Sequence, residues 1–122
     1  MKQGFVKVAS ATPRIRVADP VYNAQVICEQ AKEAAEHGAK IVVFPELCIT
    51  GYTCNDLFLQ ELLLEKAKEA LLTIAEETGQ LETLFLVGLP VDKDGRLYNV
   101  AAVLYRGRIC LLYTSDAADD LT

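Results

Sequence analysis

No apolar run in this 122-residue chain reaches the ~18–20 residues that a membrane-spanning helix needs, so the pattern predicts no bilayer-crossing segment. The amino terminus has a lone Lys ahead of an alternating, strand-like stretch. It lacks the apolar core and small-residue cleavage site of a secretory leader, and the expected location is the cytoplasm, with no membrane partner. Basic residues are few: 12 Lys and Arg, scattered without a stripe, against 17 Asp and Glu, for a net charge of −5 that disfavours nucleic acid as a partner. There is one histidine, His37, and the four cysteines at 28, 48, 54 and 110 form no C-x-x-C pair, so no zinc-type ligand spacing is present. No Gly-rich phosphate loop occurs, and the residues alone call for neither a nucleotide nor a metal cofactor. No Lys follows Lys93. With 52% hydrophobic and 24% charged residues, the chain reads as a globular protein of one domain at most.

Alternation over 4–10 predicts a first strand. Asp19 is placed to cap a helix and Pro20 suits its first turn. Ala24, Ile27, Cys28, Ala31 and Ala35 recur at helical spacing, and Gly38 ends the helix. Residues 40–44 are a second strand, which completes a βαβ unit with parallel strands. A second helix is expected from a cap at Asn55 or Asp56 to about Glu77, burying Phe58, Leu62, Ala67, Ala70, Leu71 and Ile74 and closed by Gly79. Strands over 83–89 and 97–105 flank the turn Asp92-Lys93-Asp94-Gly95, and Arg106-Gly107-Arg108 leads to a fifth strand that begins at Ile109 and is interrupted there. His37 reads as a solvated helix cap and not as a catalytic base. Cys28 and Cys48 read as small buried thiols, with Cys54 beside the same loop as Cys48.

The most informative segment is Ile41-Val-Val-Phe-Pro-Glu-Leu-Cys-Ile-Thr-Gly-Tyr52. Four apolar residues suit a strand buried on both faces, and Pro45 removes a backbone donor and stops the ladder. Glu46 then stands where a central strand leaves its sheet, the edge at which layered α/β proteins gather reactive side chains. Two readings stand side by side: an exposed acid at a strand-to-loop junction, or a catalytic carboxylate.

Phe44-Pro-Glu-Leu-Cys-Ile-Thr-Gly-Tyr52, followed by Asp56-Leu-Phe58, resembles the first catalytic motif of the nitrilase, or carbon-nitrogen hydrolase, superfamily. Lys2 to Ala9, Arg16 to Asp19 and Gly95 to Val103 resemble the amino-terminal glutaminase domain of bacterial glutamine-dependent NAD synthetases. The resemblance covers residues 1–109. It implies an α/β fold, the amino-terminal part of an α-β-β-α sandwich, with two helices on one sheet face and the other face bare. It also implies amide hydrolysis by a Glu, Lys and Cys triad, with Glu46 as general base and Tyr52 lining a glutamine pocket. Asn99 is expected to bond a backbone loop. The triad's Lys and Cys have no counterpart at matching positions, so this chain is expected to be an inactive fragment. In the relatives the ammonia passes to a synthetase domain that uses ATP and magnesium on deamido-NAD, in a homo-oligomer. Residues 110–122 resemble a translated sequencing adapter and are expected to be foreign. Two alternatives remain: a stand-alone nitrilase-type amidase or, should the tail be native, a noncatalytic binding module.

Overall fold

The ten-residue partners β3 (Leu84–Lys93) and β4 (Arg96–Tyr105) are the longest antiparallel pair of the sheet, and a two-residue turn joins them. Asp94 and Gly95 both have positive φ, 54° and 78°, as the tight hairpin turn that matches strand twist requires. Arg106 and Gly107 repeat the device at 51° and 81° and lead into β5 (Arg108–Asp116). On the other side of β3 lie β2 (Ile41–Val43) and β1 (Val8–Ser10), both parallel, so the five strands follow chain order in a mixed sheet. This computed structural model describes residues 6–51 and 61–116.

The two parallel pairings need crossovers, and each carries a helix. α1 (Pro20–Glu36) starts where expected: the Asp19 carboxylate accepts from Tyr22 N at 3.1 Å and Pro20 occupies the first turn. It ends at His37, whose exposed ring bonds the Glu33 carbonyl through Nδ1 at 2.8 Å, with Gly38 beyond it at φ 88°. α2 (Glu61–Glu77) closes through Thr78, whose hydroxyl donates to Ile74 O at 2.7 Å. The expected capping sites Asn55 and Asp56, and Phe58, lie outside the described residues.

The helices pack on each other and on one sheet face. Ile27, Ala31, Ala67 and Ile74 meet Val42, Phe85, Val87, Leu89, Ala102 and Leu104, all essentially buried. Each large member contributes roughly 1.5–3 kcal/mol of burial. Leu62 corrects the predicted stripe: it is 67% exposed. Leu63, Leu64, Ala67, Leu71 and Ile74 fill the buried arc, and Leu62 stands five residues before Ala67, about 140° away around the helix.

The opposite face is open among the described residues. Val8, Val43 and Leu112 are 59%, 40% and 48% exposed, with Ile41, Leu86, Ala101 and Val103 half-buried between them. So β2 is not buried on both faces as its four-residue apolar run suggested: Val42 is covered by helices and Val43 is not. Strand boundaries moved slightly, to 8–10, 41–43, 84–93 and 96–105. The fifth strand differs more, because its ladder continues through Cys110 to Asp116 where a break was expected. Tyr113 is a strand-favouring residue, and β4 pairs along the whole segment, from Tyr105 opposite Arg108 to Tyr98 opposite Asp116.

Candidate functional site

The last ladder bond of β2 is Phe44 N to Leu86 O at 2.9 Å. Pro45 follows, and the chain leaves the sheet. Residues 47–51 then coil back, with Gly51 N on Leu47 O at 2.8 Å and Ile49 N on Gly88 O at 3.0 Å, so the loop replaces β2 as the partner of β3. This explains Pro90 in the middle of a long strand. Leu84, Leu86 and Gly88 bond toward the β2 side, so by alternation the N–H that Pro90 lacks would point there too, past the end of β2.

Two backbone features fix the loop. A Cβ at Gly88 would lie 2.4 Å from Leu47 N and 3.1 Å from Glu46 Cα, so only glycine lets the loop rest on the strand. Leu47 sits at φ 56°, a left-handed conformation costing a leucine roughly 1–2 kcal/mol, and Gly51 adopts φ 69° without that cost. From the far side, fully buried Asn23 on α1 donates to Ile49 O at 2.7 Å and Arg16 O at 2.7 Å, and accepts from Arg16 N at 2.6 Å. Ala18 N adds a bond to Thr50 O at 2.7 Å. Asn23 thus ties helix, loop and the 16–18 segment together. Sequence reading missed it, although a polar residue on the same helix face as Ile27 was the available signal.

Glu46 emerges at the carboxyl end of β2, exposed, beside a cleft of about 300 Å³ on the open sheet face. Val43, Leu86, Gly88 and Ala101 contribute to its apolar walls. The Glu46 carboxylate accepts a hydrogen bond through Oε1 from Asn99 Nδ2 at 3.0 Å. Asn99 was expected to bond a backbone loop; the bond seen here reaches that loop at the Glu46 side chain. The reason is register: Asn99 lies opposite Pro90, two residues along β4 from Ala101, which faces Gly88 where the loop touches the sheet. Chemically the site offers an accessible carboxylate, anchored by a neutral donor, that can accept a proton.

Cys48 is one residue removed from reactivity by its orientation. It is 1% exposed, receives the Gly88 N–H on sulfur at 3.4 Å, and burial pushes its thiol up to about 11. Cys28 is also buried and its thiol is raised, first by desolvation and then by Glu77. Both are packing residues. Cys54 and Tyr52 lie outside the described residues. Among the described residues no group of three His, Cys, Asp or Glu is placed to hold a metal ion. No helix of the described residues is long and apolar enough to cross a membrane.

The model of the carbon-nitrogen hydrolase family matches residues 7–112. The glutamine-dependent NAD(+) synthetase of Mycobacterium tuberculosis is 37% identical over 108 residues, which are 88% of this chain and 16% of that protein. That of Thermotoga maritima is 33% identical over 113 residues, 93% of this chain and 19% of that protein. Among solved structures, a glutamine-dependent NAD(+) synthetase from Cytophaga hutchinsonii superposes with a TM-score of 0.79 at 31% identity, covering 85% of this chain and 18% of that one. An amidase from Nesterenkonia sp. superposes at 0.76 and 22% identity, covering 93% and 44%, a likeness of fold alone. The chain therefore spans about a sixth to a fifth of the curated relatives it matches. With the matched model covering most of its length and the fold agreeing, the chain belongs to the carbon-nitrogen hydrolase family.

Proposed function

We propose that residues 1–109 are the opening part of a glutaminase domain of the kind found in glutamine-dependent NAD synthetases, a cytoplasmic enzyme. The observation that carries this reading is Glu46: an anchored carboxylate at the end of a central parallel strand, facing a cleft, in a chain 37% identical to such a synthetase. Glu46 acts as general base: it takes the proton of a cysteine thiol that attacks the glutamine amide carbon, returns that proton to the nitrogen as the C–N bond breaks and ammonia leaves, and later activates water to cleave the thioester to glutamate and free thiol. The lysine and cysteine that complete the chemistry have no counterpart at matching positions here. Tyr52 lines the glutamine pocket. ATP, magnesium and deamido-NAD belong to a synthetase domain, and the full assembly is a homo-oligomer. Residues 110–122 are an addition foreign to the domain, which sequencing across the codons for Arg108 to Leu112 checks. A stand-alone amidase is supported less well, because the amidase likeness stops at the fold.

The test is Glu46→Gln in a protein carrying the native continuation after Ile109. The amide keeps the carboxylate's shape and cannot accept the proton, so glutamine-dependent kcat falls at least ~10²-fold with KM little changed, and synthesis from free ammonia survives. Normal glutamine-dependent turnover in that variant overturns the reading. The 122-residue chain by itself is expected to release no ammonia from glutamine. Release that Cys48→Ala or Cys54→Ala abolished would instead make a local cysteine the nucleophile.

A further inference from the structure

We propose that Asn99 is a positioning residue for Glu46: its side-chain amide, fixed in β4, holds one carboxylate oxygen and leaves the other free to receive a proton. The inference rests on the catalytic reading of Glu46 and adds to it the group that aims the base. Three observations converge. Asn99 is 2% exposed and set in the middle of the longest ladder of the sheet, so its position is rigid, whereas Glu46 stands on a loop and is exposed. The contact is 3.0 Å and joins residues 53 apart in sequence, so it exists only because the sheet register and the Gly88 approach bring loop and strand together. Its polarity is unambiguous: a carboxylate only accepts, so the NH₂ of Asn99 must face it.

The chemistry of the pair fits a base better than an ion pair would. An ammonium or guanidinium in the same place would stabilise the anion strongly and weaken it as a proton acceptor. A neutral amide orients the carboxylate through a charge-assisted hydrogen bond and adds no charge of its own.

The experiment uses the protein that carries the native continuation after Ile109, with circular dichroism as the check on folding. Asn99→Ala is expected to lower glutamine-dependent kcat about tenfold with KM little changed and synthesis from free ammonia intact, because a base that is present but unaimed leaves binding untouched. Unaltered kcat in folded Asn99→Ala overturns the proposal. Should that variant fail to fold, the 122-residue chain decides by NMR: its Asn99 side-chain NH₂ resonances are expected to move in Glu46→Ala, and resonances that stay in place overturn the proposal. Kinetics of Asn99→Ala beside Glu46→Gln separate a failure of this inference, in which only Glu46→Gln is impaired, from a failure of the general-base reading, in which Glu46→Gln is not.

Discussion

At the scale of single residues, the loop after β2 holds two side chains whose fates are opposite. Glu46 and Cys48 are separated by one position, yet the first is exposed to the cleft and the second is sealed against Gly88. The loop's turn between Pro45 and Gly51 decides this, since residues two apart on a coil point to different sides. The buried thiol has a measurable consequence. Its pKa is near 11 in the folded chain against an ordinary value of 9.0, so the folded state holds the proton more tightly. The stability this gives is fully present below pH 9 and is lost as pH rises through about 11, where the unfolded chain has already released its proton. At about 1.4 kcal/mol per decade of affinity, the loss is on the order of 2–3 kcal/mol. Urea unfolding at pH 8 and pH 10.5 is expected to show the decline, and Cys48→Ala to flatten it. An equal slope in Cys48→Ala would assign the decline to other groups.

At the scale of elements, the site is built by convergence of pieces that are far apart in sequence. α1 supplies Asn23, β3 supplies Gly88, β4 supplies Asn99, and the loop between β2 and α2 supplies Glu46. Asn23 is the joint with the most bonds. Replacing it with Leu, of similar size, takes the side-chain partner from Arg16 N and from the buried Ile49 O, and leaves Arg16 O with Asp19 N alone. Such orphaned groups cost about 1–3 kcal/mol each, so Asn23→Leu is expected to lower stability by at least ~2 kcal/mol in urea unfolding. A change within ~0.5 kcal/mol of zero would show that water replaces those bonds and that the loop does not depend on α1.

At the scale of the whole molecule, the sheet is covered on one side by two helices and left apolar on the other. Val8, Val43 and Leu112 are exposed on that face, with Leu86, Ala101 and Val103 half-buried between them. Contiguous apolar area of this kind favours association over solvation. The chain is expected to self-associate in light scattering at tens of micromolar, and Val43→Lys with Val103→Lys to shift it toward monomer, since two buried charges in the contact would be uncompensated. An unchanged size distribution in the double variant would place the association elsewhere, the sheet edges at β1 and β5 being the remaining candidates.

The sequence by itself determined the elements that rest on local chemistry. Asp19 and Pro20 set the start of α1, Asp94-Gly95 set the β3–β4 hairpin, and the apolar run ending at Pro45 set both the end of β2 and the place of Glu46. Each is a signal confined to a few neighbouring residues, and each survives in the structure. What only the tertiary structure decided depends on contacts between residues 26 to 53 positions apart. Leu62 was expected on the buried stripe, but it stands about 140° around the helix from Ala67, and which arc of α2 is covered is decided by α1 and the sheet, which leave it exposed. Nothing near Asn99 in sequence shows that it reaches Glu46. That meeting needs the register opposite Pro90 and the missing side chain of Gly88, because a hydrogen bond is fixed by position in space and the chain places those positions only when the sheet has formed.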